Sequence, residues 1–170
     1  MSRFEELLIE EIPSLRRYAR ALCGDLDQAD DLVQECLLRA VSRRKLWIGR
    51  RGMRPWLFTI LHNIYVNSLR RLSRTPVVAS VENREMQVAS EQDADLHCVV
   101  SDFEMALRRL SDEQREVLLL VGLEQMSYKE ISKITRVPVG TVMSRLSRAR
   151  EQLRQSLEGD IKPAKIKRVK

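Results

Sequence analysis

Thr141, Ser144, Arg145 and Arg148 are spaced three, one and three residues apart, which on a helix gathers them on one side. Hydroxyls and guanidinium groups on a single helical face suit the edges of bases. Arginine can pair bidentately with guanine, which discriminates by about 1–3 kcal/mol. Arg136, Arg150 and Lys133 surround them and suit phosphates, contacts that position a protein without specifying sequence. A second basic set runs from Arg39 to Arg54, seven cations with no acidic residue among them. Asn63, Asn67, Arg70 and Arg71 follow at helical spacing. The third set has the opposite sign: Asp31 and Glu35 are one helical turn apart and form, with Gln34, an acidic edge suited to a basic partner helix. No phosphate-binding loop, glycine-rich cradle or nucleophile–base constellation occurs, so no enzyme is expected. Cys23, Cys36 and Cys98 contain no CxxC pair, and His97 is adjacent to Cys98 rather than spaced as a co-ligand. Neither a disulfide framework, a metal site nor a cofactor is expected.

These groups must be held by helices. Phe4, Leu8, Ile12, Leu15, Tyr18, Ala19 and Leu22 recur at helical spacing, with Pro13 expected to break or kink the run and Gly24 to end it. Asp25 or Asp27 can cap the next helix, whose apolar stripe is Ala29, Leu32, Val33, Cys36, Leu37 and Ala40. Gly49 and Gly52 mark a loop, and Pro55 suits the first turn of a further helix. That helix buries Trp56, Leu57, Ile60, Leu61 and Ile64; Trp56 shares their face and reads as core. From Glu82 to Asp102 there are six acidic residues and one basic residue, Arg84. Periodicity fades there, as in a linker ordered only when something holds it. It returns at Phe103, with Ala106, Leu107 and Leu110. Ser111 with Gln114 and Ser127 with Glu130 form two capping boxes, and Gly122 ends the helix between them. The spacing predicts helices over 112–121 and 128–135, a tight turn at Arg136-Val137 and a long helix from about Pro138 to Leu157. Ile131, Ile134, Val137, Val142 and Leu146 would pack the last two together. A short helix, a tight turn and a longer helix are the parts of a helix-turn-helix, whose second helix enters the major groove. The reading is all-α, two small helical domains and a flexible acidic linker.

The bulk properties agree. The 170 residues suffice for two small helical domains, and 44% hydrophobic and 32% charged residues exclude a disordered chain. The formal charge of +6 favours a polyanionic partner such as nucleic acid, or an anionic membrane surface. No apolar run reaches the roughly 18 residues that span a bilayer, and the acidic start MSRFEELLIEE has no signal-peptide core. A cytoplasmic protein with no direct membrane insertion is expected.

The run YKEISKITRVPVGTVMSRLSRARE, residues 128–151, resembles the sigma-four domain of the extracytoplasmic-function (ECF) sigma factors, and Val137 to Val142 followed by Ser144-Arg145 and Arg148-Ala149-Arg150 is similar to their recognition helix. The resemblance implies that Arg136, Thr141, Ser144, Arg145 and Arg148 meet the minus-thirty-five promoter element. Met143 departs from the pattern, standing where many members carry arginine. Ala29-Asp30-Asp31-Leu32-Val33-Gln34-Glu35 resembles the sigma-two segment that docks on the clamp helices of the largest subunit of core RNA polymerase, which implies that role for Asp31, Gln34 and Glu35. Pro55 to Asn63, through Asn67, Arg70 and Arg71, looks like the part of sigma-two that melts and holds the minus-ten element. By resemblance Asn63 and Asn67 contact that element, the loop from about Trp47 to Arg54 cradles a flipped base, and Arg50, Arg51, Arg54, Arg70 and Arg71 bind backbone.

The implied organisation is a sigma-two domain over 1–74, a linker over 75–102, a sigma-four domain over 103–158 and a basic tail over 159–170. The acidic linker fits both a mimic of RNA charge in the polymerase channel and plain disorder. The implied function is promoter recognition, promoter melting and transcription initiation with core RNA polymerase, and the implied partners are that enzyme, promoter DNA and an antisigma factor. Two other classes compete. A one-component helix-turn-helix regulator would bind duplex DNA alone, usually as a dimer on a palindrome, and would not need the acidic edge followed by a basic helix. A decoy that occupies polymerase without directing initiation would bind polymerase and lack minus-thirty-five binding.

Overall fold

The computed structural model describes residues 2–47, 52–74 and 94–160, with the backbone alone at 94–99 and 160. The described residues form seven α-helices and one short 3-10 turn: α1 Arg3–Cys23, α2 Leu26–Ser42, the turn Arg44–Leu46, α3 Met53–Arg74, α4 Ala94–Arg108, α5 Asp112–Gly122, α6 Tyr128–Thr135 and α7 Val139–Asp160. No described helix is long and apolar enough to cross a membrane.

Local chemistry sets most of these boundaries. Ser2 and Glu5 form a capping box at the start of α1, as do Ser111 with Gln114 and Ser127 with Glu130 at α5 and α6. Gly24 ends α1 in the left-handed region at φ 67°, its N–H on the Arg20 carbonyl, a conformation that costs glycine little. Asp25, not Asp27, caps α2, accepting the Gln28 amide at 2.8 Å. Helix α1 runs through Pro13 rather than breaking there. Pro13 is exposed and Ile9, whose carbonyl loses its helical donor, is half-exposed; water can satisfy that carbonyl while the buried side of the helix keeps its packing. Helix α4 starts at Ala94, ahead of the return of apolar periodicity at Phe103. Beyond Gly122 the chain takes positive φ at Gln125, so the reversal between α5 and α6 lies three residues after the glycine. Residues 75–93 of the linker and 161–170 of the basic tail lie outside the described residues.

Helices α1, α2 and α3 pack on one another, and α7 receives α4, α5 and α6. The first core holds Leu15, Leu22, Leu57, Phe58 and Leu61; the second holds Val117, Leu120, Ile131, Ile134 and Val142. The two halves then meet, α1 against α5 and α3 against α6, within one continuous buried apolar cluster.

Candidate nucleic-acid and polymerase interfaces

The helix-turn-helix is built from α6 and α7. At its start the Ser127 amide and hydroxyl donate to the Glu130 carboxylate at 2.9 and 2.8 Å, and the backbone bond above all holds that carboxyl below the usual range. The turn is Arg136, left-handed at φ 56°. The Ser132 hydroxyl ties it down by donating to the Val137 carbonyl at 2.6 Å. Pro138 then opens α7, its carbonyl accepting the Thr141 and Val142 amides. Val142, Leu146 and Ala149 face inward with Ile131 and Ile134.

Arg136, Ser144 and Arg148 are exposed, and Thr141 is half-buried at their edge. Arg145 differs: its guanidinium turns to α5 and pairs with Glu113 at 2.9 Å, leaving the arginine side chain 21% exposed. Lys133 and Arg150 are exposed at the flanks.

On α3, Asn63 is half-buried and Asn67, Arg70 and Arg71 are exposed. Arg54, in the first turn, is committed elsewhere. It donates to the Glu11 carboxylate at 2.8 Å, the Ser14 hydroxyl at 3.0 Å and the Glu124 carboxylate, with its guanidinium over the Phe58 ring. Arg50 and Arg51 lie outside the described residues. Trp47, where the loop begins, packs edge-on against Phe4, which meets Trp56 in the same way. Trp56 is partly buried against the core.

On α2, Ala29, Leu32, Val33, Cys36 and Ala40 are buried and Asp31, Gln34 and Glu35 are exposed, Glu35 pairing with Arg39. Leu38 and Val41 continue the Gln34 face at 69% and 52% exposure. The sequence reading missed both. Their signal was the helical spacing 34, 38, 41, which places them off the buried stripe.

A second unforeseen cluster lies where the halves meet. Glu124, in the α5–α6 connection, has a fully buried side chain held by Arg17 at 3.0 Å and by Arg54. His62 Nδ1 and Glu116 Oε1 are 2.5 Å apart. Tyr65 donates to Asp112 at 3.0 Å, and burial first, then the Asp112 charge, raises its phenol above the ordinary value. Arg115 and Arg108 donate to the Leu22 and Gly24 carbonyls at the end of α1. Nothing local in the sequence marks Glu124 or Glu116 as buried.

Residues 8–62 match the family model of the sigma2 domain of PhyR, and residues 101–153 that of sigma-70 region 4. The chain is 37% identical over 150 residues to the ECF RNA polymerase sigma factor EcfG of Rhodopseudomonas palustris, covering 86% of this chain and 80% of that protein. Among solved structures it resembles the sigma factor RpoE in complex with the anti-sigma factor NepR from Bartonella quintana. There the TM-score is 0.78 at 32% identity, over 94% of this chain and 99% of that one. It also resembles CnrH in complex with the cytosolic domain of CnrY, with a TM-score of 0.68 at 25% identity, over 92% of this chain and 88% of that one.

Proposed function

The chain belongs to the ECF RNA polymerase sigma factors, and from that premise we propose how its surfaces divide the work of initiation. As a sigma factor it directs RNA polymerase to promoters and is not itself an enzyme. Residues 1–74 form the polymerase-docking and minus-ten unit, 75–102 the linker, 103–158 the minus-thirty-five unit and 159–170 a basic tail. Asp31, Gln34 and Glu35 dock on the clamp helices of the largest polymerase subunit, with Leu38 and Val41 extending the contact. Asn63, Asn67, Arg70 and Arg71, joined by Arg50 and Arg51, take the minus-ten element, and Arg54 joins them once the seam opens and Glu124 releases it. Arg136, Thr141, Ser144 and Arg148 meet the minus-thirty-five element, and Arg145, turned toward α5, serves the backbone at its edge. The protein works in the cytoplasm.

The observation that carries the polymerase reading is the α2 edge, where a chain of formal charge +6 exposes acidic residues beside an uncovered leucine. A basic, partly apolar partner helix matches that edge. The test is binding of the full chain to core RNA polymerase, in wild type and in an Asp31→Ala, Gln34→Ala, Glu35→Ala variant. We expect the variant to bind at least about tenfold more weakly while keeping its helical content. Equal binding by a folded variant would overturn the assignment.

The described arrangement also supports a promoter-incompetent closed form. Helix α6 packs against α3, whereas elements centred at minus ten and minus thirty-five are roughly 25 base pairs apart, about 85 Å at 3.4 Å per pair. The two halves must separate to reach both. RpoE of Bartonella quintana was solved with the anti-sigma factor NepR, and CnrH with the cytosolic domain of CnrY; an antisigma factor that holds this chain closed is the corresponding partner.

A further inference from the structure

Met143 is 52% exposed and Val139, one turn before it, is 37% exposed. The packing of α7 is complete without them, because Val142, Leu146 and Ala149 already fill its inner face. Scattered exposed apolar residues are ordinary on a protein surface, so exposure alone says little. Position says more. Both stand in the first two turns of the second helix of a helix-turn-helix, the part aimed at base edges when such a helix enters the major groove. Exposed cations surround them: Arg136 in the turn, Lys133 on α6, and Arg148 and Arg150 farther along α7. Such a ring suits phosphates on either side of the groove.

The same two turns hold no cation free to read a base. Arg145, the one arginine there, is drawn to Glu113 on α5 at 2.9 Å. What remains is Met143, Val139 and the hydroxyls of Thr141 and Ser144, and the Ser144 hydroxyl donates back to the Thr141 carbonyl at 3.0 Å. The floor of the major groove presents one apolar group among the four bases, the C5-methyl of thymine. Methionine is long, unbranched and polarizable, and adapts to such a target.

We propose that Met143, flanked by Val139, reads a thymine methyl group in the minus-thirty-five element and is a specificity-determining residue of this sigma factor. The inference rests on the assignment of α7 as the minus-thirty-five helix. It sets an apolar contact at the edge of the exposed face of α7, about 100° around the helix from Ser144.

The test uses holoenzyme assembled from the full chain and core RNA polymerase. A preferred minus-thirty-five sequence is selected from duplexes randomised in that region. Each thymine of the selected duplex is then replaced, one at a time, by deoxyuridine, which removes the methyl and nothing else. At one position we expect wild-type holoenzyme to lose about fourfold in affinity, the worth of one buried methyl. Met143→Ala and the length-conserving Met143→Gln should bind the thymine and uracil duplexes equally there. The side chain is exposed, so both variants should fold. Tolerance of uracil at every position by the wild type would overturn the proposal, as would an equal uracil penalty in the variants. If no minus-thirty-five preference emerges from the selection, the assignment of α7 falls and this proposal with it; a clear preference without a methyl effect defeats the proposal alone.

Discussion

The side chains of Leu15, Leu22, Leu57 and Leu61, in the core of α1–α3, are fully buried within the apolar cluster. The seam where α1 and α3 meet α5 and the α5–α6 connection adds charge to the apolar cluster. Glu124 and Glu116 are the two buried carboxylates among the described residues, and both lie there, on Arg17, Arg54 and His62. The difference bears on what can come apart. A buried leucine contributes about 1.5–3 kcal/mol that is lost on exposure to water. A buried carboxylate costs desolvation even when paired and regains hydration once the seam opens, so the pairs there add little net closure beyond offsetting that cost. Arg17 and Arg54, at 51% and 31% exposure, already reach water. The cores are thus built to persist and the seam to separate, which is what two DNA-reading halves on one linker need.

The largest effect expected is in a core. Leu61→Ala should lower the unfolding free energy by about 2–5 kcal/mol, the usual range for a fully buried leucine, seen as an earlier urea midpoint with cooperative loss of helicity. The seam should behave differently. Glu124→Ala leaves Arg17 and Arg54 without their shared carboxylate, and because both are partly hydrated the loss of closure should be about 1–3 kcal/mol. Small-angle scattering should show a larger radius of gyration while circular dichroism stays unchanged. A loss of helical stability as large as that of Leu61→Ala would show that seam and core are one unit, and the contrast would fail.

The smallest effect sharpens the contrast at two thiols. Cys36 donates to the Leu57 carbonyl at 3.5 Å between α2 and α3, and burial pushes its pKa up to about 12. Cys23 is close enough to Arg115 of α5 to feel its charge, and burial pushes it to about 11. Both stay protonated at pH 8 and react slowly, since the thiolate is the nucleophile. Glu124→Ala should speed alkylation of Cys23 several-fold by opening the seam and leave Cys36 protected until the core unfolds, as followed by peptide mass spectrometry. Equal acceleration at both would mean that the variant loosens the core itself.

Much of the recognition unit was legible in the sequence. The Ser127–Glu130 box, the turn at Arg136-Val137 and the stripe Ile131, Ile134, Val142, Leu146 are relations among residues within a few turns of one another, and all stand as read. Where a local rule met wider packing it gave way. Pro13 did not end α1, because a long helix with one well-packed side tolerates a missing bond on its wet side. Arg145 carries the right residue type at the right spacing, but Glu113 on a neighbouring helix sets its direction.

The sequence by itself determined an all-helical chain, its capped helix starts and a helix-turn-helix with its exposed polar face, because amphipathic period and capping are written within a turn or two. Only the tertiary structure decided that Arg54, read as a backbone contact, is held by Glu11 and Glu124, that Glu116 meets His62, and that α6 covers α3. Those partners stand 43, 70 and 54 residues apart along the chain. No local pattern encodes a pairing at such distance. It arises because burying a carboxylate is tolerable only where the folded halves bring a cation or hydrogen-bond donor to meet it.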